Sequence, residues 1–177
     1  MRSHALSLTL GREAAKRKVP VYVEMSTGMV YKSDSSPHKE TDKTKPWSNL
    51  AKWRLQAEQD LAQIEGLNLV VLRLPHVYGP YTSKFLATGL CMARVYQHLE
   101  TEMKWLRDKD LQTNTVHVED VARALWTVAE WYTSGAPKDK TPVFNIVDHG
   151  KTCKITYLLA CLGFSSIYTY CSQLKAH

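Results

Sequence analysis

The 177-residue chain has only eight glycines, at 11, 28, 66, 79, 89, 135, 150 and 163, and no two lie close enough to make G-x-G-x-x-G or a relaxed variant. The sequence therefore contains no glycine-rich turn of the kind that lays backbone N–H groups and a helix N-terminus against a pyrophosphate. Cysteine is also sparse. The four residues, at 91, 153, 161 and 171, show no C-x-x-C spacing and no histidine at finger spacing. Neither a zinc site nor a disulfide framework is expected, and a reducing, cytoplasmic setting fits best. There is no low-complexity tract and no internal repeat. Long apolar runs are missing as well. Met1 to Leu10 has too short an apolar core for a secretory signal and reads as part of a helix running into Lys18. The uncharged stretch Ile155 to Cys171 is shorter and more polar than the ~20 apolar residues of a membrane span.

What is present is ordinary for a soluble globular protein, with 44% hydrophobic and 23% charged residues. The length suits one domain with a useful core. The net charge of +6 comes largely from clusters at Arg12 to Lys18 and Lys39 to Lys45. These flank predicted elements and are not interleaved with aromatics, so they read as solvated faces, and no nucleic-acid partner is expected.

Hydrophobic period predicts the elements. Val19 to Met25 reads as a buried strand that delivers the polar loop Ser26-Thr27-Gly28 at its end. Ser33 to Lys45 is a loop. Trp47 to Ile64 reads as a helix with Leu50, Trp53, Leu55, Ala57, Leu61 and Ile64 inward, and Leu69 to Leu74 as a second buried strand. This unit predicts a parallel pair with a right-handed crossover. A helix is expected from Pro80 to about Leu99, then a short strand before His117 and an amphipathic helix over Glu119 to Trp131. Val121, Leu125, Val128 and Ala129 would face inward, with Asp120 a favourable anion near the start. Pro142 to Val147 reads as a last strand closing at Asp148-His149-Gly150, and the five tryptophans as core or lid packing.

Four segments stand in order along the chain: Met25-Ser26-Thr27-Gly28-Met29-Val30-Tyr31, Lys45 to Glu58 with Ser48 four residues before Lys52, Leu72-Arg73-Leu74-Pro75-His76-Val77-Tyr78-Gly79-Pro80, and Thr115 to Ala124. Together they resemble the extended short-chain dehydrogenases, the family of NAD-dependent epimerases and dehydratases. The resemblance implies an α/β fold, a partial Rossmann-type doubly wound parallel sheet without its N-terminal glycine-rich half. Residues 1–150 would form the incomplete NAD(P)-binding domain. Residues 151–177 would be an atypical C-terminal segment whose first part, Thr152 to Leu162, could begin a substrate-lobe helix, and a truncated or alternative reading frame at both ends or a gene-model artefact is the expectation for the departures from the family.

The resemblance also implies site residues. Lys52 matches the family lysine that binds the cofactor ribose, Thr27 the hydroxyl residue that bonds the substrate oxygen, and Ser48 stands where the family places its catalytic tyrosine. Pro75, His76 and Val77 match main-chain contacts to the nicotinamide, and His76 also lies where substrate would pass. Tyr31 matches the tyrosine of a Val-Tyr pair that packs or lines the site, and His117 and Asp120 fix a strand-to-helix turn. A serine is a far weaker acid than a phenol and does not reach as far, so loss of the tyrosine would lower turnover by about 10²–10⁴.

The implied function is NAD(P)-dependent chemistry on a nucleotide sugar or related small polar substrate, weak or absent in this form. The sequence does not choose NAD over NADP. Two other readings stand beside it: a non-catalytic cofactor-sensing or protein-binding relative, and a non-functional fragment. A homodimer through the helix at 47–64 is a further expectation from the family.

Overall fold

The computed structural model describes residues 2–34, 37–84, 86–105, 112–137, 139–148, 153–154 and 168–170. In chain order its elements are α1 (Arg2–Lys16), β1 (Tyr22–Thr27), a 3-10 turn (Gly28–Val30), α2 (Asn49–Ala62), β2 (Leu69–Leu74), β3 (His76–Tyr78), α3 (Leu86–His98), β4 (Met103–Trp105), β5 (Gln112–Thr113), β6 (Thr115–His117), α4 (Val118–Thr133), β7 (Val143–Asn145), β8 (Cys153–Lys154) and β9 (Tyr168–Tyr170). They fall into two compact units, Met1–Pro75 with Glu119–Val147, and His76–Val118 with Asp148–His177.

The first unit is built on a three-stranded parallel sheet in the order β1-β2-β7. The predicted parallel pair is in place, with Tyr22 opposite Leu69 and Thr27 opposite Leu74. All six residues of β2 are buried, as its apolar run requires of a central strand covered on both faces. Helices α1 and α2 pack on each other and against β1 and β2. Leu61, Leu69 and Val71 form the core there, with Leu8, Tyr22, Ile64, Leu67 and Val143 against them. The approach is close because α1 carries Gly11, where an added Cβ would stand 2.5 Å from Leu61 Cδ2. Helix α1 ends as its sequence predicts. Lys18 turns to φ 52°, and the Lys18 and Val19 amides bond back to the Ala15 and Ala14 carbonyls at 3.0 Å, a Schellman-type stop.

The inward face of α2 follows the expectation at Ala57, Leu61 and Ile64 and departs from it at Leu50 and Trp53. Ala51, Ala57, Glu58 and Leu61 are buried, whereas Leu50 and Trp53 are 52% and 48% exposed. The helix lies against β1, β2 and the 3-10 turn, and Ala51 and Ala57 are among the residues it buries there. Three further tryptophans besides Trp53 bear on the expectation of core or lid packing, and two of them lie at the surface, Trp47 59% and Trp126 70% exposed. Trp131 is half-exposed, its ring meeting Phe144 edge-on at 5.5 Å. The Trp105 side chain lies outside the described residues. Along α4, Val121 and Val128 are buried as predicted, joined by Tyr132.

In the second unit β3 pairs with β6 in parallel, β4 with β9 in parallel and β5 with β8 antiparallel. Asp148 ties down β6, accepting from Thr115 Oγ1 at 2.9 Å and from the His117 amide at 3.1 Å. Gly79, at φ +123°, lies so close to β6 that a Cβ would meet His117 Nε2 at 2.8 Å. His149 and Gly150, and most of the segment 151–177, lie outside the described residues. Among the described residues no helix is long and apolar enough to cross a membrane.

Candidate functional site

Thr27 ends β1 and caps the 3-10 turn. Its Oγ1 accepts from the Met29 amide at 3.2 Å, which leaves the hydroxyl hydrogen free to donate elsewhere. Opposite it, Leu74 ends β2, so Thr27 and Pro75 lie at the carboxyl ends of adjacent parallel strands. That edge is where open α/β sheets receive ligands.

Ser48 is the N-cap of α2. Its Oγ accepts from the Ala51 amide at 3.2 Å, so the residue in the tyrosine position has a structural task of its own. Ser48→Ala should therefore cost about 1 kcal/mol in urea unfolding, and Ser48→Asp should keep most of that stability. Equal midpoints for all three proteins would show that the cap contributes nothing. Lys52 follows one turn later. It is exposed, and its ammonium makes no ion pair among the described residues. Thr27, Ser48, Lys52 and Pro75 belong to the first unit, and His76 and Val77, in β3, to the second.

A buried polar network that the sequence did not reveal lies within the first unit. The Arg73 guanidinium grips the Glu58 carboxylate, with Nη2 at 2.6 Å and Nε at 3.2 Å from Oε2. Both side chains are 7% exposed. The remaining nitrogen, Nη1, donates to the Tyr31 hydroxyl at 2.7 Å, and that hydroxyl donates to Asn145 Oδ1 at 2.9 Å. Ser26 Oγ donates to Glu58 Oε1. Burial opposes the Arg73 charge, but hydrogen bonds to Glu58 and Tyr31 outweigh it and hold the group more firmly protonated than an ordinary arginine. The network joins α2 to β1, β2 and β7, and its members flank the candidate site: Ser26 precedes Thr27, Arg73 lies two residues before Pro75, and Glu58 shares α2 with Lys52. Tyr31 is thus a packing and anchoring residue, as its place in the Val-Tyr pair implies. A single arginine inside the apolar run Leu69 to Leu74 was the available signal. Among the described residues no group of three or more His, Cys, Asp or Glu is placed to hold a metal ion.

The model of the NAD dependent epimerase/dehydratase family matches residues 1–146. The chain belongs to that family. No curated protein matches the sequence. Among solved structures, this epimerase-family chain is similar to a dTDP-4-dehydrorhamnose reductase from Clostridium acetobutylicum, at 19% identity and a TM-score of 0.72, over 92% of this chain and 54% of that one. A dTDP-glucose 4,6-dehydratase from Bacillus anthracis, solved in complex with NAD, is 18% identical with a TM-score of 0.72, over 93% and 54%. A UDP-N-acetylglucosamine 4-epimerase from Bacillus cereus is 15% identical with a TM-score of 0.73, over 96% and 60%. At these identities the likeness is one of fold. The chain spans about half the length of the solved relatives it matches, so the Rossmann-type architecture is present in part.

Proposed function

We propose that this chain supplies the nicotinamide side of an NAD(P)-dependent epimerase/dehydratase-type site, with a nucleotide sugar or related small polar molecule as substrate. The observation that carries the reading is the edge formed by Thr27 and Pro75 at the ends of two adjacent parallel strands, with Lys52 on the helix packed against β1. The residues fit one part of a dinucleotide: the Lys52 ammonium, which makes no ion pair among the described residues, would meet ribose hydroxyls, and Pro75 offers a carbonyl just past the end of β2, while His76 and Val77 match the family's nicotinamide contacts by sequence position alone. The sequence contains no glycine-rich cradle for the pyrophosphate. When bound, the nicotinamide supplies the hydride acceptor or donor.

The chain's own part is binding and orientation. The Thr27 hydroxyl, its oxygen already engaged by Met29, donates to a substrate oxygen. Ser48 holds the start of α2, and its aliphatic hydroxyl is too weak an acid to replace a phenol near neutral pH. Binding is therefore expected to outlast turnover, which favours the cofactor-sensing reading as the second choice. The cysteine usage supports a reducing, cytoplasmic setting.

The test is a titration of the folded chain with NADH and NADPH, read by nicotinamide fluorescence. Saturable binding is expected, and Lys52→Ala should weaken it by about 10- to 100-fold, the worth of a hydrogen bond from a charged donor. A folded wild-type chain with no saturable binding of either nucleotide would overturn the proposal. So would a Lys52→Ala variant that binds as well as wild type.

A further inference from the structure

The segment from His38 to Lys45 lies along the outer edge of β7 and over Tyr31. The Asn145 main-chain amide donates to Glu40 Oε1 at 2.8 Å, and its side-chain amide donates to the His38 carbonyl at 3.3 Å. Further along, Tyr31 and Thr44 form an antiparallel bridge, and the Lys45 amide bonds the Val30 carbonyl at 2.8 Å. The His38 ring stacks on Tyr31, with centroids 5.0 Å apart and planes inclined by 13°.

The ring nitrogens decide the protonation state. Nε2 stands 2.9 Å from the Lys32 carbonyl oxygen and 3.2 Å from Asp34 Oδ1, and Nδ1 stands 3.2 Å from Asp42 Oδ2. A carbonyl and two carboxylates only accept, so both nitrogens make hydrogen bonds only when both carry hydrogen, as in the imidazolium. The charges around the ring fit that state. Asp34 and Asp42 flank it, Lys32 is drawn to Asp34 at 3.8 Å, and Asp42 is also held by the Lys39 amide. Arg73 lies 5.1 Å from the centroid of the Tyr31 ring, and the Glu40 carboxylate is engaged by Asn145.

We propose that protonated His38 is a pH-sensitive clasp that holds this strap on β7 and Tyr31, and that the strap loosens as the ring loses its proton. Desolvation lowers the proton affinity of His38, but the bond to the Lys32 carbonyl, that to Asp42 and the charges of Asp34 and Asp42 outweigh it, so its pKa lies above the ordinary 6.5. A raised pKa means that the clasp's contribution is full below about 6.5 and is lost as pH rises through the folded value, by at most about tenfold per pH unit. The strap leads through Pro46 and Trp47 into the α2 cap at Ser48, so its docking sets the path of the chain into the Lys52 turn. The clasp is independent of whether a nucleotide binds.

The test is an NMR titration of the His38 ring, with hydrogen-exchange protection of the Asn145 main-chain amide measured from about pH 5.5 to 8.5 and corrected for intrinsic rate. A midpoint above 6.5 is expected, with protection falling several-fold across it. His38→Gln should show weaker protection that is flat with pH. Asp42→Asn keeps the ring and should move midpoint and protection together to lower pH, which serves even if the glutamine variant folds poorly. A midpoint at or below 6.5, protection in the wild type that ignores pH, or an Asp42→Asn profile identical to wild type would overturn the clasp.

Discussion

Arg73→Ala should destabilise the protein by about 3–5 kcal/mol at neutral pH, the cost of leaving a buried partner charge uncompensated. Glu58 would keep a carboxylate in a site 7% exposed with only Ser26 to bond it, and the Tyr31 hydroxyl would lose its donor. The loss should shrink as pH falls, because a stranded carboxylate can escape the penalty by taking a proton. The double variant Glu58→Met/Arg73→Met removes both charges and should recover much of the stability, though Ser26 then lacks an acceptor, at about 1–3 kcal/mol. Urea unfolding of the three proteins at two pH values decides the matter. An Arg73→Ala protein within 1 kcal/mol of wild type would mean that water reaches the pair, and a double variant worse than the single would mean that the charges themselves stabilise the fold.

Leu61→Ala is expected to cost about 2–5 kcal/mol. Leu61 is fully buried in the cluster with Leu69 and Val71, and it is also the residue against which Gly11 brings α1. The range reflects how far the wall can collapse. Here collapse is limited, because α1 is already at closest approach through a residue without a side chain. The upper half of the range is therefore the specific expectation. Adding Gly11→Ala to Leu61→Ala should then restore stability, since the new methyl would enter the vacated volume. Thermal and urea unfolding of the single and double variants test this. A double variant that merely sums two losses would show that α1 does not seat on Leu61 in solution.

These two sites also show what was legible in the chain. The β1–β2 pair, the α1 stop at Lys18 and the buried face of α4 followed from period and local chemistry. The family followed from four ordered motifs. The inner face of α2 is legible only in part, because an amphipathic pattern does not decide which of two neighbouring rows of apolar residues meets the sheet. Ala57 and Leu61 face inward as the pattern implies, but Ala51 is buried where the pattern places Leu50 and Trp53, and only the tertiary approach determines that. The pairing of Glu58 with Arg73 was hidden for a related reason. Arg73 was visible as a charge in an apolar run, but its partner lies fifteen residues back on a helix, and nothing local marks Glu58 as inward. The strap was read as a polar loop, which it is, yet its anchor is Asn145, more than a hundred residues away. Thr27, Ser48, Lys52, Pro75, His76 and Val77 came from family resemblance, and residue pattern alone would have left Lys52 a solvated helix lysine.

The Asn145 amide that bonds Glu40 points away from β2, toward the place a fourth strand would occupy. The Glu40 carboxylate stands in for that strand's carbonyl oxygen, so one rim of the sheet is chemically closed by a side chain. The opposite rim, along β1, has no strand partner beyond β2 among the described residues. Exposed strand edges are where chains add to one another, and on the β7 side that amide is already taken. Glu40 thus acts as a terminator on the β7 side, where a further strand would otherwise add.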